Sequence, residues 1–242
     1  MTDRVLGVLG GMGPLASAEF MRQLTLLTPA ERDQDHIPAV LWSDPRVPDR
    51  NAARRGTGPD PLPILLRGIR GLEAAGCGAI AIPCNTAHGW IDGMRAATRL
   101  PILHIVEAAA EALRRQGIGP GTIGVMGTAA TLAMGLYQDG LRDGGWDVIA
   151  PDAAEMARLV TPAIELVKAN RVNESHAPLA EAARLLTARG ARAVVLGCTE
   201  IPLGIAAGPA PPFPVVDTIE ALARASIRWA REDARLPETA EV

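Results

Sequence analysis

The sequence predicts an α/β protein of two similar lobes, each a mainly parallel sheet flanked by helices, with a site in the cleft between them. Three observations carry that prediction. Short apolar runs alternate with helical patterns along the chain, as in parallel sheets covered by helices. The alternation occurs twice at a nearly constant offset. Each copy ends one of its apolar runs in a cysteine, at the place where open α/β sheets hold ligands. The 242 residues are 48% hydrophobic, enough for a sizeable core. Aromatics are only 3%, so Ala, Val, Ile and Leu must fill it.

Val5–Leu9 is a short apolar run that ends in Gly10-Gly11-Met12-Gly13-Pro14. It reads as a buried strand entering a turn. Pro14 suits the first turn of a helix. Phe20, Leu24 and Leu27 follow on one helical face. Pro38–Ser43 reads as the second strand. Asp44 to Pro61, rich in Pro, Arg, Gly and Asp, reads as a long loop, and loops of that length are often functional. Pro63–Ala75 is a helix stopped by Gly76. Ala79–Pro83 is a strand with Cys84-Asn85-Thr86-Ala87-His88 at its carboxyl end, and Ile102–Ile105 is another strand.

The same order then recurs. Gly7-Val8-Leu9-Gly10 is echoed by Gly124-Val125-Met126-Gly127. Gly76 with Ala79–Cys84 is echoed by Gly190 with Ala193–Cys198. Pro101-Ile102 with Glu107-Ala108 is echoed by Pro214-Val215 with Glu220-Ala221. Three segments in one order at nearly one offset indicate an internal duplication. The expected division is residues 1–101 plus 213–242 for the first lobe and 102–212 for the second. Pseudo-twofold symmetry would bring Cys84 and Cys198 into one cleft from opposite sides. The charged tail from Arg231 to Val242 is expected to fray.

Composition excludes several classes. The net charge of −3 lacks the clustered positive charge of a nucleic-acid surface. No apolar run reaches the length of a membrane span, and the N-terminus lacks a signal-peptide pattern, so a cytoplasmic location is expected. Three cysteines without a CxxC pair form neither a disulfide scaffold nor a zinc ribbon. Of the 24 basic residues one alone, Lys168, is a lysine.

Two facing thiols suit one chemistry in particular. Inverting an α-carbon without a cofactor needs a base on one face and an acid on the other. Cysteine serves where its thiolate is stabilised by a helix N-terminus or a cation. Cys84 and Cys198 each precede a predicted helix and have Asn85, Thr86, Thr199 and Glu200 beside them. Cys77 has no such neighbours and reads as a core residue. Glu200 reads equally as a group that orients Cys198 and as an ordinary helix-start carboxylate. His88 reads as structural or as a polariser of the Cys84 region. His36, His104 and His176 lack metal-ligand spacing, so no metal is expected.

The segments GVLGGMGPLASAEF (Gly7–Phe20), PCNTAH (Pro83–His88) and GCTEIP (Gly197–Pro202) resemble the aspartate/glutamate racemase superfamily, closest to its cofactor-independent aspartate racemase branch. VPDRNA (Val47–Ala52), the Thr128–Thr131–Tyr137 pattern and VKAN (Val167–Asn170) resemble it too. The resemblance runs from about residue 4 to about 225. It implies two Rossmann-like lobes in pseudo-twofold relation, a homodimer, and racemisation without PLP or any other cofactor. It implies Cys84 and Cys198 as the base/acid pair, Cys198 acting on the L-enantiomer and Cys84 on the D-enantiomer. Asn85, Thr86 and Thr199 would hold the α-carboxylate. Arg50 and Lys168 would hold the distal carboxylate, and Met12 and Thr128 would line the cleft. A dicarboxylate needs cationic partners on physical grounds as well.

Other readings stay open. A glutamate or broad-specificity racemase differs by about one methylene of selectivity, worth only about 1–3 kcal/mol. A maleate isomerase-like enzyme also keeps two cysteines. A non-enzymatic dicarboxylate-binding protein could use the same scaffold. Gly11-x-Gly13-x-x-Ala16 with Asp44 fits a dinucleotide fingerprint weakly. A PLP enzyme could use Lys168 but would leave the cysteine pair unexplained.

Overall fold

The computed structural model describes residues 4–231. The first half runs β1 (Leu6–Gly10), α1 (Pro14–Leu27), β2 (Ala39–Ser43), α2 (Arg50–Arg54), α3 (Leu62–Ala74), β3 (Ala79–Ala81), α4 (Ile91–Ala96) and β4 (Ile102–Leu103). A crossing helix, α5 (Ile105–Arg115), opens the second half. Then come β5 (Gly121–Gly127), α6 (Ala129–Ala133), α7 (Leu136–Arg142), β6 (Trp146–Ile149), α8 (Ala153–Glu155), α9 (Thr161–Lys168), α10 (Val172–Ala188), β7 (Val194–Gly197), α11 (Ile201–Ala206), β8 (Val215–Asp217) and α12 (Thr218–Arg231). The expected fray of the tail lies outside the described residues, apart from Arg231 at the end of α12.

Both sheets are four-stranded and parallel, in the orders β2-β1-β3-β4 and β6-β5-β7-β8. Each strand of one sheet has its counterpart at the same place in the other. β1 is buried along its whole length because helices cover both faces, which is why it reads as an unbroken apolar run.

Two details differ from expectation. The segment after Asp44 holds a short helix, α2, because the Asp49 carboxylate accepts the Ala52 N–H at 2.6 Å and caps it. Strand pairing also moves the lobe limits. Residues 102–103 pair with β3 in the first sheet, and 215–217 pair with β7 in the second. The chain crosses after the last strand of each sheet, not before it. We propose lobe boundaries just after Leu103 and just after Asp217.

The crossing helices weld the lobes together. α5 packs on α7 and α12, and α12 packs on α1 and α5. One continuous apolar cluster joins Leu6, Val8 and Phe20 of the first half to Ile123, Val125, Tyr137 and Val195 of the second, through Ala109, Leu113, Leu222 and Ile227 of the crossing helices. Separate clusters fill the outer face of each sheet, one under α3 and one under α9 and α10. Small alanines on α5 and α12 let the helices approach closely, which suits a chain so poor in aromatics.

The turn after β1 depends on Gly11. Its φ is +92°, and a Cβ there would lie 2.5 Å from the Asp44 backbone. Gly11→Ala is expected to lose about 1–3 kcal/mol from the left-handed conformation alone, with the clash adding to it. An unchanged urea midpoint would show that this contact does not constrain the turn.

Candidate active site

Cys84 lies three residues beyond β3, where the chain turns into a 3-10 segment (Thr86–Trp90) ahead of α4. It is buried among Met12, Val47 and Ile82. Its carbonyl is 2.9 Å from His88 Nδ1, and His88 Nε2 accepts the Ile105 N–H at 3.2 Å. Nε2 as acceptor leaves Nδ1 as the donor, so the ring is the neutral Nδ1–H tautomer. Complete burial, with His104 4.7 Å away edge-on, lowers the His88 pKa to about 3. His88 is thus a neutral peg that ties the Cys84 turn to the start of α5.

Cys198 occupies the matching place after β7. It is buried, and its thiol donates to Glu200 Oε2 at 3.0 Å. Thr199 Oγ1 donates to the same oxygen at 3.4 Å. The other carboxylate oxygen accepts the Gly13 N–H, 3.2 Å away in the first lobe. Burial pushes the Cys198 thiol well above its usual range, the Glu200 charge pushes it further, and Lys168 pulls in the opposite direction. The thiol is therefore a held proton with a carboxylate beside it.

The lobes meet through polar side chains at these two strand ends. Thr86 Oγ1 lies 3.0 Å from Thr128 Oγ1 and 2.9 Å from Thr131 Oγ1, and the latter two are 3.0 Å apart. All three hydroxyls are buried. Asn85 accepts the Tyr137 hydroxyl at 2.6 Å and donates to Thr218 Oγ1 at 3.2 Å, and Thr218 donates to the Leu196 carbonyl. Burial raises the Tyr137 pKa, and the Cys198 charge raises it further, so the phenol stays a donor. A chain of hydrogen bonds therefore runs from Tyr137 through Asn85, the residue after Cys84, to Thr218 and the Leu196 carbonyl in β7.

A cleft of about 300 Å³ opens between the α2 loop and α9, with Asp49, Asn51, Thr128, Glu165 and Lys168 in its walls. Asn51 closes one side by accepting the Ala130 N–H at 3.2 Å. Arg50 Nη1 donates to the carbonyls of Val47 and Pro48, while its buried Nε has no partner among the described residues.

Residues 9–226 match the Asp/Glu/Hydantoin racemase family. The chain belongs to that family. Its similarity to a Bacillus subtilis protein named broad specificity amino-acid racemase RacX is 29% identity, covering 63% of this chain and 67% of that one. It is 30% identical to a glutamate racemase of Streptococcus equi subsp. equi, over 84% of this chain and 71% of the relative. Among solved structures, the Picrophilus torridus aspartate racemase superposes with a TM-score of 0.83 at 32% identity, covering 94% of both chains.

Within this racemase family member, the structure sorts the sequence-derived residues. Asn85, Thr86 and Thr128 meet in the hydrogen-bonded seam between lobes. Cys198, Thr199 and Glu200 form a second cluster, joined to the first lobe through Gly13. Met12 packs in the apolar cluster of Cys84, and Lys168 stands exposed at the cleft. Arg50 does not join Lys168 in the cleft wall. Sequence reasoning left Tyr137, Thr131, Thr218 and Asn51 outside the site. Tyr137 carried a signal, as the chain's one tyrosine in a family-like segment. Thr218 carried none, since its partner Asn85 is 133 residues away.

His88 gives a signed pH dependence. Its folded pKa near 3 lies below the unfolded value, so its stabilising share is full above about 6.5 and is lost as pH falls from there toward 3. Asp217, raised to about 6 by burial, acts oppositely between about 4 and 6. His88→Gln should therefore flatten the acid-side loss of stability by about 1.4 kcal/mol per pH unit relative to wild type. Denaturant unfolding at pH 4.5 and 6 measures the difference, and parallel slopes would exclude a buried neutral His88.

Proposed function

We propose that the protein interconverts L- and D-aspartate by two-base proton transfer at the α-carbon, without PLP or a metal. The observation that carries this reading is the matched pair of buried cysteines, each at the end of the third strand of its sheet and each flanked by residues that bond across the lobes. One base must face each side of the α-carbon, and a pseudo-twofold cleft supplies two.

In the L-to-D direction, Cys198 first passes its proton to Glu200, the carboxylate already 3.0 Å away. The thiolate then removes the α-hydrogen, and the Cys84 thiol delivers a proton to the opposite face. The reverse direction exchanges the roles. Desolvation raises the Cys198 thiol, which makes its thiolate a stronger base toward a weakly acidic C–H. Backbone amides at Asn85, Thr86 and Thr199 and the exposed Lys168 are the groups assigned to hold the substrate carboxylates. The Thr86 hydroxyl and the Asn85 amide already serve the seam, so their side chains act mainly by fixing the Cys84 turn.

A broader amino-acid preference is the second reading. The likeness to a relative named for broad specificity and to one named glutamate racemase favours it. The same proposal includes a homodimer and a cytoplasmic location. All three cysteines are free, as a reducing compartment would keep them. No helix among the described residues is long and apolar enough to cross a membrane.

Incubation with L-aspartate in D2O, with no cofactor added, should produce D-aspartate carrying α-deuterium. Absence of both product and label overturns the activity. Glu200→Gln keeps a hydrogen-bonding side chain but no longer takes a proton from Cys198. It should lower kcat/KM by about 10²-fold. Enantiomers have equal free energy, so the loss must be equal in both directions. Unchanged kcat/KM would remove Glu200 from the proton path.

A further inference from the structure

Tyr137 touches the neighbours of both cysteines. It is the chain's one tyrosine and is buried at the start of α7. Its ring packs on Gly197, the residue before Cys198. A Cβ on Gly197 would stand 3.0 Å from Tyr137 Cε2, so the missing side chain leaves the ring its place. Its hydroxyl donates at 2.6 Å to Asn85 Oδ1, on the residue after Cys84. Asn85 is tied a second time, since its Nδ2 donates to Thr218 Oγ1 and that hydroxyl donates to the Leu196 carbonyl at 2.8 Å. Both routes end on β7, at Leu196 and Gly197, the two residues that lead into Cys198. The turn that carries one thiol is thereby bound to the strand that leads to the other.

We infer that Tyr137 is a positioning residue for the inversion. Through Asn85 it fixes the Cys84 turn relative to Cys198, so that proton delivery to one face of the α-carbon follows promptly on proton removal from the other. This role deepens the racemase reading and rests on it. Two-base inversion needs both groups in near-contact with one carbon, and a displacement of about 1 Å can cost about 10²-fold in rate. The two cysteines follow strands of different sheets, so their spacing is set by contacts between the lobes and not by either strand alone. The Glu200 bond to the Gly13 N–H makes such a contact on the Cys198 side, and Tyr137 makes one on the Cys84 side.

Tyrosine suits this work. Its ring is held in the apolar cluster that includes Val125, Val195 and Leu141, so the hydroxyl starts from a fixed place. Both ends of the Asn85 amide are committed, the oxygen accepting and the nitrogen donating, which fixes how the amide lies. Without the phenol, Asn85 Oδ1 is left buried and without its donor, and the turn after β3 is held by one bond to the second lobe where Asn85 had two.

Tyr137→Phe in the full-length protein keeps the ring against Gly197 and removes only the hydroxyl. With L-aspartate in D2O, kcat should fall about 10-fold or more while KM stays within about threefold of wild type. The deciding readout is the ratio of α-deuterium in recovered L-aspartate to D-aspartate formed. Cys198 still takes the α-hydrogen, its S–H exchanges with solvent, and with Cys84 out of place the carbanion takes a deuteron back from Cys198. That ratio should rise at least about fivefold over wild type. From D-aspartate the corresponding ratio should not rise, because removal by Cys84 is then the slowed step and Cys198 delivers as before. Thr218→Val cuts the second tie and should raise the L-side ratio too, and Thr218→Ser, which keeps the hydroxyl, should bring it back toward wild type. Plain loss of stability lowers the amount of active protein and leaves both ratios alone. Unchanged ratios, or an equal rise from both enantiomers, in a wild type that exchanges normally overturn the positioning role alone. A wild type that exchanges no α-hydrogen overturns the racemase reading and the positioning role together.

Discussion

Everything in this molecule depends on the polar seam that joins the two strand ends across the lobes. The residue two beyond each cysteine reaches the turn after the first strand of the opposite lobe. Thr86 meets Thr128, and Glu200 meets the Gly13 N–H. These contacts are pseudo-symmetric in place but different in chemistry. A hydroxyl cluster serves one side and a carboxylate the other. The seam is buried, so its groups must find partners within the protein, and a lost partner leaves a costly unsatisfied group. That requirement sets how far apart the lobes sit.

The fold exists to make such a seam possible. Parallel strands place both cysteines beyond carboxyl ends, Cys84 after β3 and Cys198 after β7. The crossing helices α5 and α12 fuse the two inner sheet faces into one core. Relative motion of the lobes therefore works against a shared apolar cluster as well as against the seam. Proton transfer between fixed faces of one carbon gains from that rigidity, because the reacting atoms need near-contact geometry. The outer cleft is built differently. Its walls come from the α2 loop and from α9, and among the described residues Glu165 and Lys168 stand there exposed and outside any ion pair.

Much of this was legible in the sequence because the signals were local or repeated. Apolar runs ending in glycine gave the strands. The echo of Ala79–Cys84 in Ala193–Cys198 located both thiols at equivalent strand ends. The departures arose where tertiary contacts decide. A side-chain cap at Asp49 turned part of the expected loop into α2. The lobe limits we propose differ from those expected because Ile102–Leu103 pairs in the first sheet and Val215–Asp217 in the second. Arg50 was assigned to the substrate through the family resemblance; its Nη1 donates to the Val47 and Pro48 carbonyls, while its buried Nε has no partner among the described residues. The link from Asn85 to Tyr137 and Thr218 spans long sequence separations and left no periodic trace. His88 read ambiguously until its two ring partners settled its tautomer.

The central claim is that two cysteines serve opposite faces of one α-carbon, each on its own side. Exchange without inversion tests it most directly. In D2O, Cys84→Ala should wash deuterium into L-aspartate with retention of configuration and exchange D-aspartate at background rate. Cys198→Ala should do the reverse, and neither variant should racemise. If one variant labels both enantiomers, or inverts either of them at the wild-type rate, the two-face assignment is wrong.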